Sequence, residues 1–390
     1  MINLELPEGL KQTKEFLHNV ARDLLRPISR KYDVAEHVYP QELEIMRGAQ
    51  APSSKKDDKD KTDKKEKKQR TDTLGQVISV EELCWGDLGL LLTIPGRGLG
   101  NAAIAANGTD EQKKKYAGKW AAMAITEPEA GSDSFALVAT AELDGDEWVL
   151  NGEKIFVTCA DRCELVVVWA TIDKSAGRAG IKSFLVEKGT PGFKLEHLEH
   201  KLGIRASDTG TFVLKDCRIP KENILGSAEV IKKEGFRGVG KTFDATRPAV
   251  AAMALGVARA ALEFTKEKIE ESGITFDYEK NGNNVSSNEK EFYMMEANLE
   301  AMRLLIWRAA CMQDSGERNS LEAAMCKAKA GRTGTLITQK CCDLLGPLGF
   351  SQDYLAEKWM RDVKITDIFE GTGQIMHRNI AREILGVKIM

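Results

Sequence analysis

The chain has 390 residues, 42% of them hydrophobic, with a formal net charge of -3. It is large enough to bury a substantial core and exceeds single-core size, so about two or three domains are expected. The charge balance gives no electrostatic case for binding nucleic acid or a membrane surface, and no apolar run of about twenty residues calls for membrane insertion. The opening Met1-Ile2-Asn3-Leu4-Glu5 has neither a basic n-region nor an apolar h-region, so a soluble cytoplasmic protein is the expectation. The eight cysteines have neither disulfide-rich density nor paired metal-ligand spacing. No metal site is expected, and Cys341-Cys342 read as small helix-core residues in a reducing compartment.

In chain order, a helix is predicted over residues 11–25, with Phe16, Leu17, Val20, Ala21 and Leu24 at helical spacing and Pro27 ending it. Pro40 starts a second, short helix. Nine of residues 55–70 are Lys or Arg and five are Asp or Glu, with no apolar side chain among them. Such a run cannot bury enough surface to offset its ordering entropy, so 55–71 is expected to be a solvated loop. Helix resumes over 74–85. The apolar, glycine-punctuated stretch 88–96, which includes Thr93, suits either the wall of a greasy cavity or a buried helix start.

Between residues 119 and 225 the hydrophobic period changes from helical to two. Asp144-Gly145 and Asn151-Gly152 separate strands at 138–143, 147–150 and 154–158, predicting two consecutive hairpins, and further strands are predicted at 164–172, 181–187 and 209–214. Long helices follow at 248–272, 287–316 and 320–345. Met294, Leu299, Met302, Leu305, Ile306 and Ala309 mark burial on more than one face and suggest a bundle. The fold class is therefore α+β: an N-terminal α-helical domain (1–118), a middle antiparallel β domain (119–228) and a C-terminal helical bundle (229–390).

Two segments carry candidate chemistry. In Ala124-Ile125-Thr126-Glu127-Pro128-Glu129-Ala130-Gly131-Ser132-Asp133, the hydroxyls of Thr126 and Ser132 flank a turn whose glycine lets a ligand approach the backbone. On the strand at 154–158, Phe156 and Thr158 share one face and could present a ring and a hydroxyl to a flat aromatic cofactor. Each segment also has a plainer reading, as a turn and an ordinary strand. The other segment is Phe369-Glu370-Gly371-Thr372-Gly373-Gln374, where a carboxylate sits at a loop-to-helix junction. Glu370 there is a plausible base, although an acid near a helix start also serves simply to complement the helix dipole.

The chain resembles the acyl-CoA dehydrogenase family along essentially its whole length. The motifs Thr126-Glu-Pro-Glu-Ala-Gly-Ser-Asp133, Asn151-Gly-Glu-Lys-Ile-Phe-Val-Thr158, Phe243-Asp-Ala-Thr-Arg-Pro248, Trp359-Met-Arg-Asp362 and Phe369-Glu-Gly-Thr372 occur in that family's order and spacing. The resemblance implies that the C-terminal domain is a four-helix bundle and that FAD is the cofactor. It also implies that Glu370 removes the pro-R α-proton of an acyl-CoA thioester while a hydride leaves the β-carbon for the flavin. The family polarises the thioester carbonyl with the backbone N–H of the base and a ribityl hydroxyl of FAD.

Further roles follow from the resemblance alone. Ile125, Thr126, Ser132, Phe156, Thr158, Phe276, Thr372 and Gln374 would contact FAD. Thr93, Ser132, Asp244, Arg247, Phe369 and Gly371 would contact acyl-CoA. An electron-transfer flavoprotein would accept the electrons, and the assembly would be a tetramer.

The departures from the pattern are informative. Family homotetramers carry an Arg-x-x-Phe motif whose Arg reaches the FAD pyrophosphate of a neighbouring subunit. Here Phe276 matches but Gly273 replaces the Arg, Asp343 replaces a Gln that also contacts the neighbour's FAD, and a Gly-Gly-x-Gly becomes Gly346-Pro347-Leu348-Gly349. These changes point to a heteromer in which a paralogous subunit supplies the Arg. An oxygen-using acyl-CoA oxidase and a non-catalytic subunit of a heteromeric dehydrogenase are the alternative functions.

Overall fold

A computed structural model describes residues 5–47, 72–96, 98–230, 237–280 and 284–386, without the side chains of 237–242 and 244. The charged run at 55–71 therefore lies outside the described residues.

The first helix does not stop at Pro27. α1 (Glu8–Val20) passes through a π turn (Ala21–Leu25) directly into α2 (Arg26–Val34), with Pro27 in its first turn. Proline lacks an N–H and its ring collides with the carbonyl four residues back; widening the coil just before it removes that conflict. A 3₁₀ turn (Gln41–Met46) follows Pro40 as expected. α3 (Thr73–Gly86) and α4 (Leu88–Leu91) begin at Asp72 and Asp87, whose carboxylates accept from the backbone N–H groups of Gly75 and Leu90. α5 (Leu99–Asn107) and α6 (Asp110–Lys115) lead to the sheet.

The sheet has seven strands: β1 (Ala121–Ala124), β2 (Thr140–Asp144), β3 (Glu147–Thr158), β4 (Leu165–Thr171), β5 (Ile181–Glu187), β6 (Phe193–Leu198) and β7 (Thr209–Pro220). Their order is β1-β4-β2-β3-β7-β6, with β5 on β4. Pairing is antiparallel except that β1 and the end of β2 run parallel to β4.

The hairpin predicted at Asp144-Gly145 forms between β2 and β3. The one predicted at Asn151-Gly152 does not, because β3 continues straight through and absorbs the pair as a register shift against β7. Asn151 uses its side-chain oxygen to accept from the Asp216 N–H at 2.8 Å. Gly152 has φ 147°, and a Cβ there would lie 2.6 Å from that of Ala139. An Asn-Gly pair thus serves a bulge as well as a turn, and cross-strand partners decide which.

α7 (Arg237–Glu271), α8 (Ser287–Asp314), α9 (Ser320–Leu345) and, after α10 (Pro347–Phe350) and α11 (Ala356–Val363), α12 (Gly373–Leu385) form the bundle. α7 starts earlier than its hydrophobic pattern suggested. It lies at the centre, its alanines 251, 252, 254 and 258 fully buried. Small side chains let α3 approach so closely that a Cβ on Gly256 would lie 2.3 Å from the Glu81 carbonyl oxygen. The segment Ala245–Glu271 is apolar and long enough to cross a membrane, but 83% of its apolar window is buried inside the protein.

On α8 the stripe reading misplaced one residue: Met294 is 57% exposed while Met295 is buried with Leu299, Met302 and Ile306. Cys341 and Cys342 are free, buried core residues. The motif at 359–362 is structural. Arg361 binds Asp33 of α2 at 2.6 Å, Asp362 accepts from the Ile204 N–H at 2.6 Å, and Lys358 joins Asp87 at 2.7 Å.

Candidate active site

The site is a cavity of about 1410 Å³ between the sheet, α3, α7 and the loop before α12. That loop follows a 3₁₀ turn (Lys364–Asp367) and reverses through two left-handed residues, Glu370 (φ 58°) and Gly371 (φ 94°). Thr372 then caps α12 by accepting from the Ile375 N–H at 3.3 Å. A non-glycine residue in the left-handed region is held there by its surroundings, and such residues cluster where side chains must be aimed.

Glu370 points into the cavity wall. Its Oε2 accepts from the Thr246 hydroxyl at 2.6 Å, whereas its Oε1 is buried without a hydrogen-bond partner. Burial raises its pKa above the ordinary carboxylate value, opposed by the Thr246 hydrogen bond and by the charges of Arg247 and Lys327. The result is a carboxylate with one oxygen fixed and the other poised to take a proton.

The sheet contributes the opposite wall. Ile125, Thr126 and Ser132 line the cavity together with Phe156 and Thr158. Phe156 has φ 57° and lies within a register shift of β3, so strand alternation alone does not put it beside Thr158. It presents a 61% exposed ring. Thr158 pairs across the sheet with Thr209, whose hydroxyl is buried without a partner and also faces the cavity. An apolar flat surface bordered by an unused hydroxyl fits a planar cofactor with polar edges.

The segment that carries Thr126 and Ser132 is pinned by an ion pair that the pattern reading did not single out. Glu127, 2% exposed, accepts from the N–H groups of Val138 (2.6 Å) and Ala139 (3.1 Å) and from Lys154 Nζ (2.6 Å). Lys154 also donates to the Ile125 carbonyl at 3.2 Å. Both cavity-wall segments are therefore tied to each other through one wholly buried lysine. Glu127, Lys154 and Thr246 all lie inside the quoted motifs, and that placement was the one available signal.

Arg247, Phe369, Gly371 and Thr372 also line the cavity. Three predicted residues do not. Thr93 is folded back by the turn after α4 and donates to the Leu90 carbonyl at 2.8 Å. Phe276 stacks on Phe292 with ring centroids 4.3 Å apart, in the packing between α7 and α8. Gln374 is exposed on the first turn of α12. The Asp244 side chain lies outside the described residues. Of the stretch at 88–96, Leu91 and Leu92 line the cavity, whereas Leu90 and Ile94 belong to a buried core cluster.

A strained, desolvated carboxylate in one cavity with an exposed aromatic ring and an unused hydroxyl fits the class of cofactor-dependent enzymes. Residues 122–217 match the acyl-CoA dehydrogenase middle-domain family and residues 233–385 the acyl-CoA dehydrogenase C-terminal-domain family. A short-chain-specific acyl-CoA dehydrogenase of Clostridium acetobutylicum is 35% identical over 80% of this chain and 83% of its own length. Butyryl-CoA dehydrogenase of Megasphaera elsdenii superposes with a TM-score of 0.83 at 29% identity, over 98% of this chain and 100% of the other. A chain from a structure reported for the electron-transferring flavoprotein of Acidaminococcus fermentans gives 0.84 at 32% identity, over 98% and 100%. The chain belongs to the acyl-CoA dehydrogenase family. It is an FAD-binding oxidoreductase that acts on acyl-CoA.

Replacing Thr246 with Val removes a hydrogen bond that favours ionised Glu370. Burial is then less opposed, the Glu370 pKa rises further, and the acid limb of kcat/KM moves to higher pH. A pH profile of dye-coupled turnover checks this; an unmoved limb would separate Thr246 from the base.

Proposed function

We propose that the protein converts an acyl-CoA thioester to the 2-enoyl-CoA, with Glu370 removing the pro-R α-proton, in fatty-acid or related acyl-CoA β-oxidation. The observation that carries this reading is the buried, unpartnered Oε1 of Glu370 inside the cavity. FAD, when bound against Phe156, Thr126 and Thr158, supplies the acceptor for the β-hydride. An isolated thioester α-proton is too weakly acidic for a carboxylate, so donors to the thioester carbonyl must share the work. Substrate entry displaces water from the cavity, and the drier site raises the basicity of Glu370 further. Anaerobic addition of straight-chain acyl-CoAs should bleach the flavin and release enoyl-CoA; no bleaching by any saturated acyl-CoA would sink the reading. Electron-transfer flavoprotein is the proposed acceptor, and slow re-oxidation of the reduced enzyme in air distinguishes it from an oxygen-using oxidase.

We further propose a heterotetramer, two copies each of this chain and of a paralogous subunit. Gly273, at φ 90° in the turn after α7, offers no cation where the family's Arg would stand. Asp343 on α9 has a 66% exposed side chain. Neither residue lines this chain's own cavity, and Asp343, paired with Lys340 at 3.7 Å, offers a carboxylate where the family's Gln would contact the neighbour's FAD. One FAD per unlike pair follows. Expressed alone, the chain should carry well under one FAD per subunit, with flavin restored on co-expression of the partner. A yellow homotetramer with one FAD per chain would overturn the heteromer but not the chemistry.

A further inference from the structure

Behind the base loop, outside the residues that line the cavity, α9 carries the lysine whose charge opposes the burial of Glu370. Lys327 is fully buried, and its Nζ donates to the carbonyl of Gly371, the second of the two left-handed residues that aim Glu370. A buried ammonium is costly, and a methionine of similar length would fill the space without that cost. Retaining the charge needs a reason, and the neighbouring groups supply one. Asp367 from the 3₁₀ turn, itself 3.6 Å from Lys364, and Glu370 from the loop face the ammonium, as does Arg247 from α7.

We infer that Lys327 is a positioning residue for the base: it anchors the left-handed turn from a rigid helix and sets a positive charge beside the Glu370 carboxylate. The inference rests on the proton-abstraction reading above. Anchoring limits the wander of a carboxylate whose own backbone conformation is strained, and a displacement of about 1 Å at a reacting group can cost about 10²-fold in rate. The charge partly offsets the effect of burial on Glu370 and so favours its ionised form. Burial in turn pushes the Lys327 ammonium down to about 8, with Asp367 and Glu370 opposing. Above that pH the charge is lost and the anchor weakens.

The test is the pH dependence of the FAD-loaded enzyme, with Lys327→Met beside the wild type and Glu370→Gln as the control on the chemistry. Lys327→Met is expected to lower kcat by about 10- to 100-fold, with KM and flavin content within about twofold. Its acid limb should move to higher pH, because the cation that favours ionised Glu370 is gone, and the wild type's alkaline limb near 8 should vanish. A simple packing role would move neither limb, so unmoved limbs with kcat within about twofold would overturn the inference. Should the variant fail to fold, the wild-type profile still decides: a flat alkaline range would overturn the inference. Full activity of Glu370→Gln would instead remove the proton-abstraction reading, leaving the Lys327 limbs to be read separately.

Discussion

Turnover by the Glu370→Gln variant is expected to fall by about 10³-fold or more, since a positioned general base alone contributes about 10²- to 10⁴-fold. The amide matches the carboxylate in shape and keeps an oxygen for the Thr246 hydroxyl, now 2.6 Å from Oε2. It cannot accept the α-proton. FAD content and acyl-CoA binding should persist, because the cofactor wall belongs to the sheet and none of its residues is altered. Rapid-mixing measurement of flavin bleaching under anaerobic conditions reads the chemical step directly. Bleaching at the wild-type rate would remove Glu370 from the mechanism. In the wild type the acid limb should lie above the ordinary carboxylate pKa. A base works only when ionised and burial raises the Glu370 pKa, so on the proposed mechanism activity is expected to fall as pH drops through that raised value.

The largest effect on stability is expected at Glu127. Glu127→Ala leaves Lys154 buried with no carboxylate, its side chain 0% exposed, at a cost of about 3–5 kcal/mol. Two backbone N–H groups, of Val138 and Ala139, lose their acceptor at the same time. The segment bearing Thr126 and Ser132 is then tied to β3 more weakly, through the Ile155 N–H to Thr126 carbonyl bond (2.9 Å) and the Lys154 contact with Ile125, and flavin should dissociate from the variant more readily. Pairing Glu127→Leu with Lys154→Met removes both charges and should recover most of the loss, since it is the orphaned charge that is costly. Denaturant unfolding of Glu127→Ala and of the double variant forms the test; a loss under about 1 kcal/mol for Glu127→Ala would mean that the pair does not hold the segment.

Much of the architecture was legible because it rests on period and composition. The helices at 287–314 and 320–345 bury continuous stripes, and the strand at 165–171 is buried at every position. Local signals misled where a tertiary partner outweighed them. Pro27 by itself signals a stop, yet a π turn carries the helix past it. Asn151-Gly152 was read as a turn, but β2 and β7 pair with β3 on either side of it and leave only a bulge. β6 escaped notice because half of its sequence, Phe-Lys-Leu-Glu-His-Leu, is polar, it lies at a sheet edge and its pairing comes from β7.

Residue order was enough to place the acid of Phe369-Glu370-Gly371-Thr372 in a family and to name Thr126, Phe156 and Thr158 as the facing wall, because motif spacing is a property of the chain. That order also exposed Gly273 and Asp343 as departures. It could not say which polar groups are stranded in the interior. Only the tertiary structure leaves one oxygen of Glu370 unpaired and gives the other to Thr246, 124 positions away. The same packing buries Lys327 against the Gly371 carbonyl and joins Glu127 to Lys154. Desolvation and charge pairing depend on what surrounds an atom, and those surroundings exist only once α7, α9 and the sheet have closed around the loop.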